Sequence, residues 1–317
     1  GGQPAAQPTT APAAQPTTAP AAPAATTAPA APAAAGKVGI VLPTKDEPRW
    51  LQDEARFKDA FAKGGYDAIE PWLGTIHDFV QSGGSLRDVR QRCQDLGLRV
   101  CSGIGFAAWV VDDEAERRAG LEQLKRDLDV LAQIGGTHIA APPAGANRPG
   151  SHLDLDDAAA RYAVILELGR EMGVIPQVEI WGSSANLSHG SEALYVAARS
   201  GHPDACVLLD AYHMHKGGTP PSVLKLLGRQ AVHCFHMNDY PADPPRETIS
   251  DADRIWPGDG IAPLSELLRS LADNHCQVVL SLELFNRDYW QLPADQAART
   301  GLEKMKAAVA KAGLAQE

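Results

Sequence analysis

Eight short apolar runs recur through residues 37–317, each followed by a helical pattern or a connection long enough to hold one. They lie at 38–42, 68–73, 99–106, 137–143, 174–181, 206–213, 232–239 and 277–285. The runs are too apolar for a sheet with one wet face, and the connections are too long for hairpins, so the strands are expected to run parallel. Eight such units predict an α/β chain folded as a closed (β/α)8 TIM barrel over residues 37–317. An open doubly wound sheet is the alternative, but VLPTKDEPRW after the first run is not a Gly-rich phosphate turn. Amphipathic spacing predicts helices over 51–65, 85–97, 112–136, 154–173, 262–274 and about 295–313, with Ser85 as one cap and glycines closing several.

Residues 1–36 are a different material, built of Ala, Pro, Thr and Gln with no charged and no large apolar side chain. Such a stretch buries too little surface to offset chain entropy and is expected to be a disordered linker. A Pro/Ala/Thr tether behind a Gly-Gly start suits an exported protein, periplasmic or lipid-anchored, with a membrane tether through the N-terminus only; a cytoplasmic enzyme with a floppy tail is the other reading. The net charge of −10 opposes nucleic acid as a partner. No apolar run approaches the length of a membrane span. The five cysteines form no CxxC pair, so neither a disulfide framework nor a cysteine zinc site is indicated.

The last four runs carry the chemistry. IPQVEIW ends near Glu179, ACVLLDAYH near Asp210 and His213, VHCFHMND at His236, and QVVLSLELFN at Glu283. An acid or imidazole at the end of an apolar strand is costly unless something uses it. Barrel function sits at the C-terminal ends of the strands. Alternation places Asp210, His236 and Glu283 on the inward side, above small inward residues Cys206, Cys234 and Ser281. Two Glu, one Asp and one His form a mainly oxygen-donor set suited to one divalent ion, with Mn, Mg or Co favoured and Zn allowed. Trp72, Phe106 and Trp109 follow early strands and are candidates to wall a pocket and bind substrate. Glu70 could reach substrate or pair with a lysine, and Asn238 or Asp239 could support His236. His77 and His189 fall in expected loops, and His138 at the barrel floor.

These motifs resemble the xylose isomerase-like barrel superfamily of sugar isomerases, epimerases and dehydratases. Glu179 in VEIWG, the D-x-x-H of Asp210 and His213, His236 in FHMND and Glu283 in LSLELFN carry the likeness, with Arg254 in RIWPG. The resemblance implies that Glu179, Asp210, His236 and Glu283 bind the metal. It also implies that Glu179 and Glu283 are the catalytic acid and base, and that His213 and Arg254 bind substrate. The expected activity is isomerisation or epimerisation of a small sugar, keto-sugar or cyclitol through an enediolate. Dehydration or β-elimination on the same scaffold is the alternative, and a non-catalytic carbohydrate-binding barrel the third. The early strands supply none of the extra histidines that the DNA-repair members of the superfamily need. A homo-oligomer is compatible with the family.

Overall fold

The computed structural model describes residues 37–40 and 64–314. The predicted linker, and all but the last two residues of the helix expected over 51–65, lie outside the described residues. Eight strands are present: β1 (Lys37–Ile40), β2 (Ala68–Ile69), β3 (Arg99–Val100), β4 (His138–Ala141), β5 (Ile175–Glu179), β6 (Val207–Asp210), β7 (Val232–Met237) and β8 (Val279–Leu282). The helices among the described residues are α1 (Leu73–Gln81), α2 (Leu86–Asp95), α3 (Glu114–Ile134), α4 (Leu155–Met172), α5 (Gly190–Ser200), α6 (Ala211–Gly217), α7 (Leu264–Asp273) and α8 (Ala294–Lys311).

All paired strands run parallel, in the order β1-β8-β7-β6-β5-β4, with β2-β3 as a second pair. Beyond β3, Gly103 donates to the His138 carbonyl (3.0 Å) and accepts from Ala140 (2.9 Å), which ties β3 to β4. At the other end β1 lies beside β2. The result is a closed (β/α)8 barrel, as the alternation of runs predicts. β2 and β3 are short because the chain turns out early. Pro71 offers no N–H to a ladder, and only an isolated bridge joins Trp72 to Ile104 before α1 begins.

Caps set the helix limits. The side chains of Ser85, Asp113 and Asp154 accept from the first turns of α2, α3 and α4. The sequence reading does not mark α1, α5 or α6. His189, placed there in a loop, is the N-cap of α5, with Glu192 reaching back to complete a capping box. His77 lies in α1 and meets Asp127 of α3 at 2.7 Å. The expected strand over 206–213 stops at Asp210, because that residue caps α6 and turns Ala211–His213 into its first turn.

The main core lies between strands and helices; a smaller one, Ile104, Ala140, Leu208 and Cys234, fills the barrel itself. On β8 alternation holds: Leu280 and Leu282 face the helices. On β7 it breaks. Between β6 and β7 the register slips, with Val207 opposite Val232 but Leu209 opposite Phe235, so β7 carries one extra residue. Val232 therefore joins the outer core, and the His233 ring lies 4.4 Å from the His138 ring, tilted by 30°, at the barrel floor. Cys206 does not sit beneath the site either. Its thiol turns to the Pro176 carbonyl (3.9 Å), beside the buried Tyr162 hydroxyl that donates to the Pro176 and Cys206 carbonyls (2.8 and 2.9 Å). Among the described residues no helix is long and apolar enough to cross a membrane.

The floor histidines couple folding to pH. Burial, then the neighbouring His233, pushes His138 down to about 4 from its ordinary 6.5. The unfolded chain therefore takes up this proton first as pH falls. Stability is full above 6.5 and drains away toward pH 4, by about 3 kcal/mol at most. His138→Phe should flatten the decline of the urea midpoint between pH 6.5 and 4; an unchanged slope would show that His138 does not contribute.

Candidate active site

Three of the four expected ligands converge. Oxygens of Asp210 and Glu283 and a nitrogen of His236 lie within 4.8 Å of one another, all buried. Asp210 ends β6 and caps α6 in one step, which explains the D-x-x-H spacing. Its Oδ1 accepts the His213 N–H (2.7 Å), while Oδ2 faces the barrel mouth. Asn238 fixes that choice, donating to Asp210 Oδ2 (2.7 Å) and accepting from the Tyr212 N–H (2.9 Å). His236 Nδ1 stands 3.2 Å from Glu283 Oε2 and 3.8 Å from Asp210 Oδ2. Glu179 ends β5, buried, beside this trio but outside its 4.8 Å circle.

Arg254 enters the same cluster. Its Nη1 donates to Glu283 Oε2 (2.7 Å) and Asp210 Oδ2 (3.2 Å), and Nη2 to Asp251. The guanidinium lies between the rings of Tyr212 (4.5 Å) and Phe285 (4.9 Å). The loop that carries it is stapled by Asp239, whose carboxylate accepts the N–H groups of Tyr240, Gly258, Gly260 and Ala262. Neither Asn238 nor Asp239 supports His236, then; one orders Asp210 and the other the Arg254 loop. The residue that does reach His236 is Glu70, whose Oε2 lies 3.2 Å from Nε2. Among the described residues no lysine pairs with Glu70.

His213 is buried. The Gly182 N–H donates to its Nδ1 (3.2 Å), and Arg254 Nη2 lies 3.1 Å from Nε2. Gly182 has no substitute here, because a Cβ would collide with the backbone of α6. Trp72, Phe106, Trp181 and Phe285 form an aromatic wall, with centroids 4.9 Å (Trp72–Phe106), 6.4 Å (Trp72–Phe285) and 5.9 Å (Phe106–Trp181) apart. Phe106 is 45% exposed, as a ring at an open mouth should be. Trp109 is not part of the wall. It is 1% exposed, packs on Tyr162 of α4 and donates to the Pro142 carbonyl (2.8 Å), so the structure corrects its assignment from substrate contact to core.

The two glutamates differ in charge state. Burial pushes Glu179 up to about 8, and the nearby Glu283 and Asp210 charges raise it against the opposing pull of His236. Burial also raises Glu283, but His236 and Arg254 outweigh it and hold the carboxyl well below its usual range. The opposite shifts favour the protonated form of Glu179 and the ionised form of Glu283 in the metal-free site. His213 stays neutral, because burial and the Arg254 charge both disfavour its protonation.

Comparison with known proteins places the barrel in a family. A model of the xylose isomerase-like TIM barrel family matches residues 59–308. The chain belongs to this family. Inosose isomerase of Bacillus velezensis is 25% identical over 252 residues, covering 78% of this chain and 89% of that protein. A 3-dehydroshikimate dehydratase of Pseudomonas putida is 24% identical over 261 residues, 78% of this chain but 38% of that protein. The solved structure of the IOLI protein with a bound zinc atom shares the fold, with a TM-score of 0.76, 20% identity, and coverage of 87% of this chain and 98% of that one.

Arg254 offsets two buried carboxylates. Replacing it with Met should lower stability by about 3–5 kcal/mol, the usual loss when one partner of a buried ion pair is removed. Thermal unfolding of the chelator-treated protein checks this; a melting temperature within a degree of the parent would show that the carboxylates need no such partner.

Proposed function

We propose that the protein is a divalent-metal-dependent enzyme that moves a proton at a carbon beside a carbonyl, isomerising or epimerising a small sugar, keto-sugar or cyclitol. The observation that carries this reading is the convergence of buried Asp210, His236 and Glu283, whose ligand atoms lie within 4.8 Å of one another, with buried Glu179 beside them at the C-terminal ends of the barrel strands. Family membership and the isomerase named among the relatives support it.

Asp210, His236 and Glu283 would hold the ion, with Glu179 as a fourth ligand. The fit rests on the donors present: their 4.8 Å grouping suits ligand bonds of about 2.0–2.6 Å to one centre. Two oxygens and one nitrogen favour Mn, Mg or Co and allow Zn. A bound divalent ion would offset negative charge developing on a substrate carbonyl oxygen. The protein's own groups do the rest. Glu179 and Glu283 would flank the substrate carbon, one taking its proton and the other returning it. Neutral His213 has only one acceptor nitrogen, which the Gly182 N–H uses. Its Nε2–H then faces the Arg254 guanidinium donor to donor. A substrate oxygen taking the place of that contact would accept from both, which makes His213 and Arg254 the hydroxyl-binding pair. Trp72 and its aromatic neighbours give an apolar sugar face a surface to stack on.

A second reading is a dehydratase, favoured by the match to 3-dehydroshikimate dehydratase and by the proton on Glu179, which could pass to a departing hydroxyl. Incubation with keto-inositols and ketoses in deuterated water separates the two. Deuterium uptake with no loss of water supports the isomerase, and loss of water the dehydratase. Glu179→Gln and Glu283→Gln should each reduce turnover by at least 100-fold; sugar binding without exchange or turnover in the parent would leave only a carbohydrate-binding barrel. Dialysis against a chelator should abolish activity and added Mn or Co restore it, and activity indifferent to both would overturn the metal requirement.

A further inference from the structure

One fully buried charged group in the barrel is not used by the reaction scheme. Glu70 leaves the end of β2 and points into the interior with 0% exposure. β2 pairs with β3 and lies beside β1, whereas His236 is on β7, so the two side chains meet across the inside of the ring. Glu70 Oε2 lies 3.2 Å from His236 Nε2, with Cys234 Sγ in the same cluster. Neither Glu70 oxygen and neither His236 nitrogen has an aligned hydrogen bond among the described residues, so the 3.2 Å contact is an ion-pair distance. An ionised carboxylate removed from water costs several kcal/mol unless it is paired; Ser281 and Cys234 are neutral donors in reach, and the His236 imidazole, which acts on Glu70 most strongly of the three, is the one that can carry a positive charge.

We propose that Glu70 is the positioning residue for His236, fixing the proton on Nε2 and thereby leaving Nδ1 as the nitrogen presented to the ion. This rests on the metal-enzyme reading above. Both ring nitrogens face a carboxylate at 3.2 Å, Glu70 on Nε2 and Glu283 on Nδ1. An ion held by Glu283 and Asp210 takes the Nδ1 lone pair, and the neutral imidazole then keeps its hydrogen on Nε2, where Glu70, which only accepts, is placed to take it. Nδ1 is the nitrogen beside Glu283 and Asp210, at 3.2 and 3.8 Å. Without Glu70 the ring would be free to adopt the other tautomer or turn over, and the trio would lose its nitrogen donor. Groups that fix a ligating histidine in this way are worth about 10–100-fold in metal affinity.

The test combines ion affinity with histidine nitrogen NMR on the full chain. In Mn-free protein loaded with Zn as the diamagnetic probe, the His236 resonance, assigned with His236→Gln, should show the proton on Nε2. Glu70→Gln should retain the fold and weaken Zn affinity about 10–100-fold, and Glu70→Asp should recover part of the loss. A proton on Nδ1 in the loaded parent, or equal Zn affinity in a folded Glu70→Gln, would overturn the proposal. So would two Zn per chain with the second lost in Cys234→Ala, because Glu70 would then be a ligand. If the parent takes up no ion, the metal reading fails by itself. The metal-free nitrogen spectrum would then decide Glu70 alone: Nε2 should lose its proton preference in Glu70→Gln, and no change would sink the pairing.

Discussion

Four carboxyl groups, Glu70, Glu179, Asp210 and Glu283, are buried toward one end of the barrel, and two groups able to carry positive charge, Arg254 and His236, lie among them. Removing that much negative charge from water is the dominant cost in the site, and everything around it serves to offset it. Burial and the neighbouring carboxylates push Glu179 toward its protonated form in the metal-free site. Asp210 and Glu283 share the Arg254 guanidinium, and Glu70 and Glu283 flank the imidazole. The same imbalance is what makes the cluster receptive to a divalent cation, since an ion is the compact way to neutralise acids held a few ångströms apart.

The scaffold supplies this convergence from backbone parity and caps. Residues at the ends of β5, β6, β7 and just past β8 face one point because parallel strands alternate and the sheet is closed. Asp210 shows how economical the arrangement is: one oxygen starts α6 and the other faces the site. Asp239 does the corresponding task for the loop that delivers Arg254, by collecting four backbone N–H groups. Rigid support of this kind suits proton transfer, where the reacting groups must be held close to their working geometry.

Much of this was legible in the residue pattern. The apolar runs and long connections specified a parallel closed barrel, and the acids and imidazole ending the last four runs marked the mouth. What the pattern concealed has physical causes. The extra residue in β7 breaks alternation, so His233 and Val232 exchange faces with no local sign in VHCFHMND. Cys206 lies before β6 proper, where Tyr162 of α4 decides its direction. Trp109 and Trp72 are alike as residue types, and only packing against Tyr162 separates a core ring from a wall ring. Glu70 reads there as a substrate or lysine contact, and its actual partner, His236, is missed. Its partner is far away in the chain and across the barrel, a relation that spacing cannot express. The one available signal was a lone acid within the apolar run AIEPW.

The most direct measurement is the anomalous scattering of crystals grown from chelator-stripped protein and soaked in Mn. The account expects one peak per chain, at about 2.0–2.6 Å from an oxygen of Asp210, an oxygen of Glu283 and Nδ1 of His236, with the Arg254 guanidinium withdrawn from the carboxylate oxygens it now bridges. A map with no peak at that point, and Arg254 still bonded to Asp210 and Glu283 at saturating ion, would contradict it.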